Sequence, residues 1–314
     1  MLRYVASRLV ALIGTLLVTS FVVFGGLYIS PGGPIAYLTG GRSVTPEQLA
    51  AIREQYRLDE PFIARYGAWL GDLLQGELGQ SLVFRQDVWT LLSPRLGTTI
   101  GLVIYASALI VVGGMVFGTI AALRGGVADR LIVTTMTAGL ATPAFVSAIV
   151  LITVFSVQLG WFPVFGRGEG FVDSVWHLTL PAVALAFSGT ALVARVTRAA
   201  VRGERGREHV QTARSRGLPE RQILRRHVLR NAFIPITTVG GLTFGGLIAG
   251  SVIVETAFGL DGISAFLVAS VNAKDYSVVQ AICMILVTAF VLINTLVDAL
   301  YVAIDPRVRT AVER

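Results

Sequence analysis

Lysine is nearly missing from this sequence, where Lys274 stands alone beside 25 arginines. A P-loop, G-x-x-x-x-G-K-[ST], needs its lysine on the nucleotide phosphates, and Lys274 lies in Asn272-Ala273-Lys274-Asp275. The chain therefore cannot hydrolyse ATP by itself. Cysteine is equally scarce. Cys283 alone excludes a disulfide framework, says nothing about compartment, and reads as a small apolar core residue. His177, His209 and His227 fall on or near opposite sides of the apolar spans below and make no metal constellation, and neither H-E-x-x-H nor a nucleophile elbow occurs. A membrane-embedded enzyme is disfavoured on those grounds. Charge is thin as well: 14% of residues are charged, against about 25% in soluble domains. With 54% apolar residues and a mean hydropathy of +0.71, a soluble domain is excluded.

What is present is a set of long apolar runs. Six stretches free of Asp, Glu, Lys and Arg are long enough to cross a bilayer: 9–41, 96–123, 131–166, 174–194, 231–254 and 276–297. A bilayer core needs about 20 mainly apolar residues per helix. The next run, 262–273, is too short, so the sequence predicts an all-α integral membrane protein with six transmembrane helices.

The net charge of +7 does not imply nucleic acid, because the basic residues sit between the spans. With the N-terminus inside, 18 of the 26 basic residues fall on the inner side, eleven of them arginines between Arg195 and Arg230. The positive-inside rule then predicts cytoplasmic N- and C-termini. The first apolar run is too long for a signal-peptide core and reads as a retained helix. The predicted layout is a first span at 1–30 and an extracytoplasmic segment at 31–96. A five-helix domain follows at 97–306, and a cytoplasmic tail at 307–314.

The segment 31–96 carries helical punctuation. Thr45 suits an N-cap, Pro46 N1, and Gln48 the N3 place of a capping box, after which Leu49, Ile52 and Tyr56 share a face. Phe62, Ile63, Tyr66, Trp69, Leu70 and Leu73 follow at helical spacing, interrupted by Gly67 and Gly71. Two amphipathic helices are expected, packed on the outer rim and able to meet an external partner.

Glycine is concentrated in the spans, at Gly113, Gly114, Gly118 and Gly139, and in the fifth at Gly240, Gly241, Gly245, Gly246 and Gly250. Small residues let membrane helices approach closely, and the fifth span is where close packing is expected. Pro143 and Pro181 are expected to kink or set the third and fourth spans. Among charged residues near the spans, Asp298 is read as bonding a neighbouring helix or a partner. Glu255 is read as a gate residue, and Arg195 and Arg198 as snorkelling topology residues.

The inner segment 195–230 reads as helix, break, helix. Gly217 suits the left-handed position that ends the first helix, Pro219 suits N1 of the second, and Glu220 its first turn. Val210, Ala213, Arg214 and Gly217 share one face, small enough for a partner to approach, with Arg214 and Arg216 able to add charge-assisted contacts. A basic inner loop also fits plain topology with contact to membrane lipid headgroups.

This stretch resembles the EAA loop of binding-protein-dependent ABC importers in its dipeptide and oligopeptide permease form, x-Y-V-x-T-A-x-x-K-G-L followed by H-x-L-x-N-x-x-x-P. Val210, Thr212, Ala213, Gly217 and Leu218 match, as do His227, Leu229, Asn231 and Pro235. His209 replaces the usual Tyr, Arg216 the usual Lys, and Gln211-Thr212 stand where the wider motif has Glu-Ala. The similarity extends along the chain. Pro31-Gly32-Gly33-Pro34 resembles P-G-D-P, with Gly33 for Asp, and Gly76-Glu77-Leu78-Gly79-Gln80-Ser81 resembles G-D-L-G-x-S. Further matches are Val254 to Gly259, Asp275 to Gln280, Ile293 to Tyr301, and Asp305-Pro306-Arg307.

The resemblance implies a type I ABC importer permease fold and a pore-forming subunit for peptides or similar solutes. It implies a second homologous permease, two cytoplasmic ATPase subunits that hold the ATP and magnesium, and an extracytoplasmic solute-binding protein. This chain itself needs no cofactor. Glu208, Val210, Thr212, Ala213, Arg214, Gly217 and Leu218 become the ATPase-coupling residues within a loop at about 199–230, with Glu255, Gly245 and Gly246 as pathway or gate candidates. A gradient-driven secondary transporter or channel is the alternative. It would favour intramembrane carboxylate or histidine relays and internal repeats; Asp298 is the one plausible relay residue, and no repeat is evident.

Overall fold

The computed structural model describes residues 2–29, 35, 39 and 44–304. The Pro31–Pro34 stretch, the side chains of Arg3, Arg8 and Asp298, and the tail from Asp305, with Arg307 and Arg309, lie outside the described residues. Among those described, the structure is helical apart from one isolated bridge, Gln80 to Asp87. The chain divides into two units, Met1–Gly97 with Gly262–Val291, and Thr98–Asp261 with Leu292–Arg314.

Among the described residues, four helices are long and apolar enough to cross a bilayer: Val88–Arg124 (α4), Gly170–Arg205 (α7), Glu220–Ala257, and Tyr276–Leu296 within α12, Tyr276–Ile304. A fifth span exists if Gly126–Ala141 (α5) and Ala144–Gln158 count as one, although they meet at 111°. The run 131–166 is therefore no straight helix. Pro143 has no N–H for the helix ladder and holds the preceding residue out of the helical region; Thr142 sits at ψ 117°. The helix Ala144–Leu151 (α6) restarts from Pro143 and ends in a π-helical stretch, Ile152–Gln158. Pro181, by contrast, lies inside α7, which runs through it. The opening helix Leu2–Ile29 (α1) has 28 residues, about 42 Å at 1.5 Å per residue, with Val10–Gly26 as its described apolar part. Among the described residues, four helices, or five spans with the bent pair, meet the length and composition of a span; the runs predict six.

In the first unit, the capping box forms as the sequence predicts. Gln48 N–H donates to Thr45 Oγ1 at 3.3 Å, and Thr45 N–H donates back to Gln48 Oε1 at 3.1 Å, starting Pro46–Gln55 (α2). The apolar face of Phe62–Leu74 (α3) meets α1 through edge-on aromatic pairs. The rings of Phe21 and Phe62 are 5.5 Å apart and those of Phe24 and Tyr66 5.7 Å. Ser20 and Tyr66 share a hydroxyl bond of 2.8 Å. Val88, Leu92, Ile263, Phe266, Val278 and Ile282 form the unit's second core, which joins the start of α4, the short helix Ile263–Ala273 (α11) and α12. Ser81 donates to Asp275, and Tyr276 Oη donates to Val23 O at 3.0 Å.

In the second unit, the tightest helix contact joins α4 to α7. A Cβ at Gly114 would stand 2.5 Å from Val193 Cγ1, and one at Gly118 2.5 Å from the Ala194 carbonyl. Close packing therefore falls at the Gly114/Gly118 pair. In the fifth span a Cβ at Gly246 would meet nothing within 4 Å and one at Gly240 only Val111 at 3.9 Å, whereas Gly250 lies close to Leu185. The expectation of close packing along that glycine-rich span is met at Gly250, whereas at Gly240 and Gly246 the missing side chains leave space.

Candidate functional site

The segment after α7 folds as a short helix, Glu208–Ser215 (α8), a turn, a four-residue helix, Glu220–Ile223 (α9), and a π-helical stretch, Leu224–Val228. That stretch runs into Leu229–Ala257 (α10). Eight residues are too few for a helix stable in water by itself. Val210 and Ala213 hold α8 in place. They are 0% and 5% exposed and belong to the same buried cluster as Val201, Ile223 and Val228. Burying Val210 contributes roughly 2 kcal/mol.

This burial corrects the predicted contact face. Val210 and Ala213 point into the chain's own core, where no partner can reach them. The opposite side of α8, with Glu208, Gln211, Thr212 and Ser215, is exposed, and Arg214, Arg216 and Gly217 are exposed beside it. A short amphipathic helix next to a large apolar core buries its apolar residues there first.

The turn closes as a Schellman motif. Gly217, at φ +74°, donates to Arg214 O at 2.9 Å, and Leu218 N–H donates to Ala213 O at 3.3 Å. Leu218 is half-buried against the core cluster. Pro219 is the N-cap of α9, one place earlier than predicted, so Glu220 opens the helix. Arg214 grips Glu220 with two bonds, and that contact holds the guanidinium above its usual pKa.

Two polar clusters escaped the sequence reading. Asp129 receives Arg198 Nε at 2.6 Å and Nη2 at 2.8 Å, and Arg202 Nη2 at 2.8 Å, which ties α5 to α7. Arg198 is thus a paired side chain and not a snorkelling one, while Arg195 is exposed. Glu204 takes Arg207 at 2.9 Å and the Asn231 amide at 3.2 Å, and His209 lies 3.4 Å from the same amide. The available signal was the presence of acidic residues within an arginine-rich segment.

The gate candidates separate. Glu255, expected at the gate, is fully buried and accepts from Thr99 Oγ1 at 2.7 Å. Gly246 borders a cavity of about 430 Å³, together with Pro143, Ser188, Gly189, Thr243 and Gly250. Gly245 is half-buried on the same helix. No group of three or more potential metal ligands occurs among the described residues.

Residues 114–310 match the family described as binding-protein-dependent transport system inner membrane component, and residues 1–103 match its N-terminal companion family. The chain belongs to this permease family. It is 39% identical over 310 residues to the glutathione transport system permease protein GsiC of Escherichia coli, covering 98% of the permease and 99% of that relative. The GsiC protein of Pectobacterium atrosepticum is 38% identical over the same length. Among solved structures, one chain of the MetNI methionine ABC transporter in an inward-facing conformation superposes with a TM-score of 0.56 at 16% identity. That match covers 68% of the permease and 96% of that chain, and it shows the shared fold. The permease is an all-α protein of the bacterial inner membrane and the pore-forming subunit of an ATP-driven importer, a transport component.

Proposed function

We propose that this permease imports short peptides of the glutathione class, and that α8 is the surface through which a cytoplasmic ATPase drives it. A second homologous permease completes the pathway. Two ATPase subunits bind ATP and magnesium on the cytoplasmic side, and an extracytoplasmic binding protein delivers the solute. The observation that carries the coupling reading is the two-sidedness of α8. Val210 and Ala213 root it in the transmembrane core, while Glu208, Gln211, Thr212 and Ser215 face outward beside Arg214 and Arg216. A force applied to the outward face therefore reaches α10 through packed side chains and the rigid Arg214–Glu220 turn. The solute class is supported by the GsiC relatives, which are named for glutathione transport.

The test is photocrosslinking from position 212 in the assembled complex. A crosslink to the ATPase, together with ATP-dependent glutathione or tripeptide uptake, is expected. A probe at 212 that reacts only with lipid would remove the coupling role and leave α8 as a topology element.

A further inference from the structure

A groove of about 530 Å³ runs along the second unit between α4, α5 and α7. Val116 and Phe117 of α4, Leu131 of α5 and Phe187 of α7 help to line it, and Thr135 and Thr190 are its only polar side chains. Its floor is shut, because α4 and α7 close on each other there. A Cβ at Gly113 would stand 3.1 Å from Thr190 Cγ2, and Gly114 and Gly118 lie closer still to α7. The groove opens on the outer surface, where Val116, Phe117, Leu131 and Phe187 are exposed.

Length narrows the choice of occupant. From Val183 to Ala194 the groove follows α7 for about 16 Å at 1.5 Å per residue. That is roughly half of a hydrocarbon core about 30 Å thick, the depth of one leaflet. A partner's transmembrane helix needs the full depth, whereas one acyl chain needs half.

Charge gathers at one end. Arg198 and Arg202 follow Ala194 on α7 at i+4 and i+8, and Arg124 follows Phe117 on α4 at i+7, so all three continue the lining faces. Arg202 Nη2 lies 3.5 Å from Ala121 O, which sets that arginine beside the end of α4, one turn before Arg124. Asp129 is the carboxylate they meet. It takes two bonds from Arg198 but only Nη2 from Arg202. The Arg202 side chain is 42% exposed, and Arg124 is exposed and makes no ion pair among the described residues. Three guanidinium groups beside one carboxylate leave this end positive. An apolar slot one leaflet deep with a positive end matches an acyl chain that carries a phosphate diester, and guanidinium forks suit phosphate oxygens.

We propose that the groove holds one acyl chain of an anionic phospholipid, with the lipid phosphate bound by Arg124 and Arg202. The assignment is independent of the transported solute.

The test uses phosphatidylglycerol with a diazirine on one acyl chain, added to the detergent-purified transport complex. Photolabelling of the peptides that carry Phe117 and Phe187 is expected. Unlabelled phosphatidylglycerol displaces the probe at about a tenth of the concentration that phosphatidylcholine with the same chains requires. Arg124→Gln combined with Arg202→Gln abolishes that preference and leaves the Arg198–Asp129 contact in place, so the complex still assembles. Val116→Trp enters the groove from an exposed position and lowers labelling of both peptides. Arg221→Gln, whose site does not border the groove, changes nothing. Equal displacement by the two lipids, or a preference that survives the double arginine variant, overturns the proposal and makes the groove ordinary lipid-facing surface. Displacement of the probe by millimolar inorganic phosphate overturns it too, by reducing the end of the groove to a site for soluble anions. So does an absence of lipid labelling with crosslinking from position 116 to the second permease, which puts a protein partner in the groove.

Discussion

Arg214 and Glu220 face each other across the turn that ends α8, with Nε to Oε1 at 2.6 Å and Nη2 to Oε2 at 3.2 Å. The two planar groups lie on opposite sides of Gly217, whose left-handed backbone makes the reversal possible. Both side chains are solvent-exposed, so the pair adds little to stability. It sets the angle between two short helices and thereby the direction in which the outer face of α8 points.

Gly217→Val tests that turn. Nothing lies within 4 Å of a Cβ at this position, so the cost is backbone strain, roughly 1–2 kcal/mol. Membrane insertion is expected to stay normal, while solute uptake per ATP hydrolysed falls severalfold. Gly217→Asn, which tolerates the left-handed region, retains most of the uptake. Parental uptake by the Val variant would show that the turn plays no part in coupling.

The two sides of α8 separate in a second experiment. Ala213→Asp places an unpaired carboxylate in the core cluster, at several kcal/mol, so the complex melts at a lower temperature. Thr212→Asp, on the exposed side, leaves the melting temperature in place and weakens ATPase association in copurification. Equal thermal losses for both variants contradict the orientation of the helix.

Helix packing is tested at Gly118. Gly118→Leu drives a side chain into the Ala194 carbonyl and Thr197, with an expected overpacking cost of about 1–3 kcal/mol. Gly246→Ala enters open space and is tolerated. Thermal melting of the detergent-solubilised chain ranks the two, and a less stable Gly246 variant would reverse the packing account.

Asp129→Asn removes the charge that two arginines share. The melting temperature is expected to fall more than for Arg202→Ala, which leaves the bidentate Arg198 contact intact. Equal effects would show that the cluster is only a solvated surface.

Several features were legible from local pattern. The capping box at Thr45 to Gln48, the left-handed Gly217 and the helix–break–helix order of the inner segment each depend on residues within a few positions of one another. Pro143 was legible as a disturbance, though its 111° consequence was not. The facing of α8 was misread because Val210 and Ala213 look equally suitable for a partner or a core. Only the nearby cluster with Val201, Ile223 and Val228 decides between them. Asp129 was passed over because its arginines lie 69 and 73 positions away in sequence.

The sequence by itself determined that this chain lives in a membrane, because apolar runs of that length have no other stable solvent. It also placed the one lysine, Lys274, in Asn272-Ala273-Lys274-Asp275, a purely local pattern. Tertiary structure alone decided which glycines bring helices together and which leave room. It decided too that Glu255 is enclosed with Thr99, and that Arg198 and Arg202 meet Asp129 at the end of an apolar groove. Each of these depends on what stands opposite a residue once distant segments pack, and one-dimensional spacing carries no record of that.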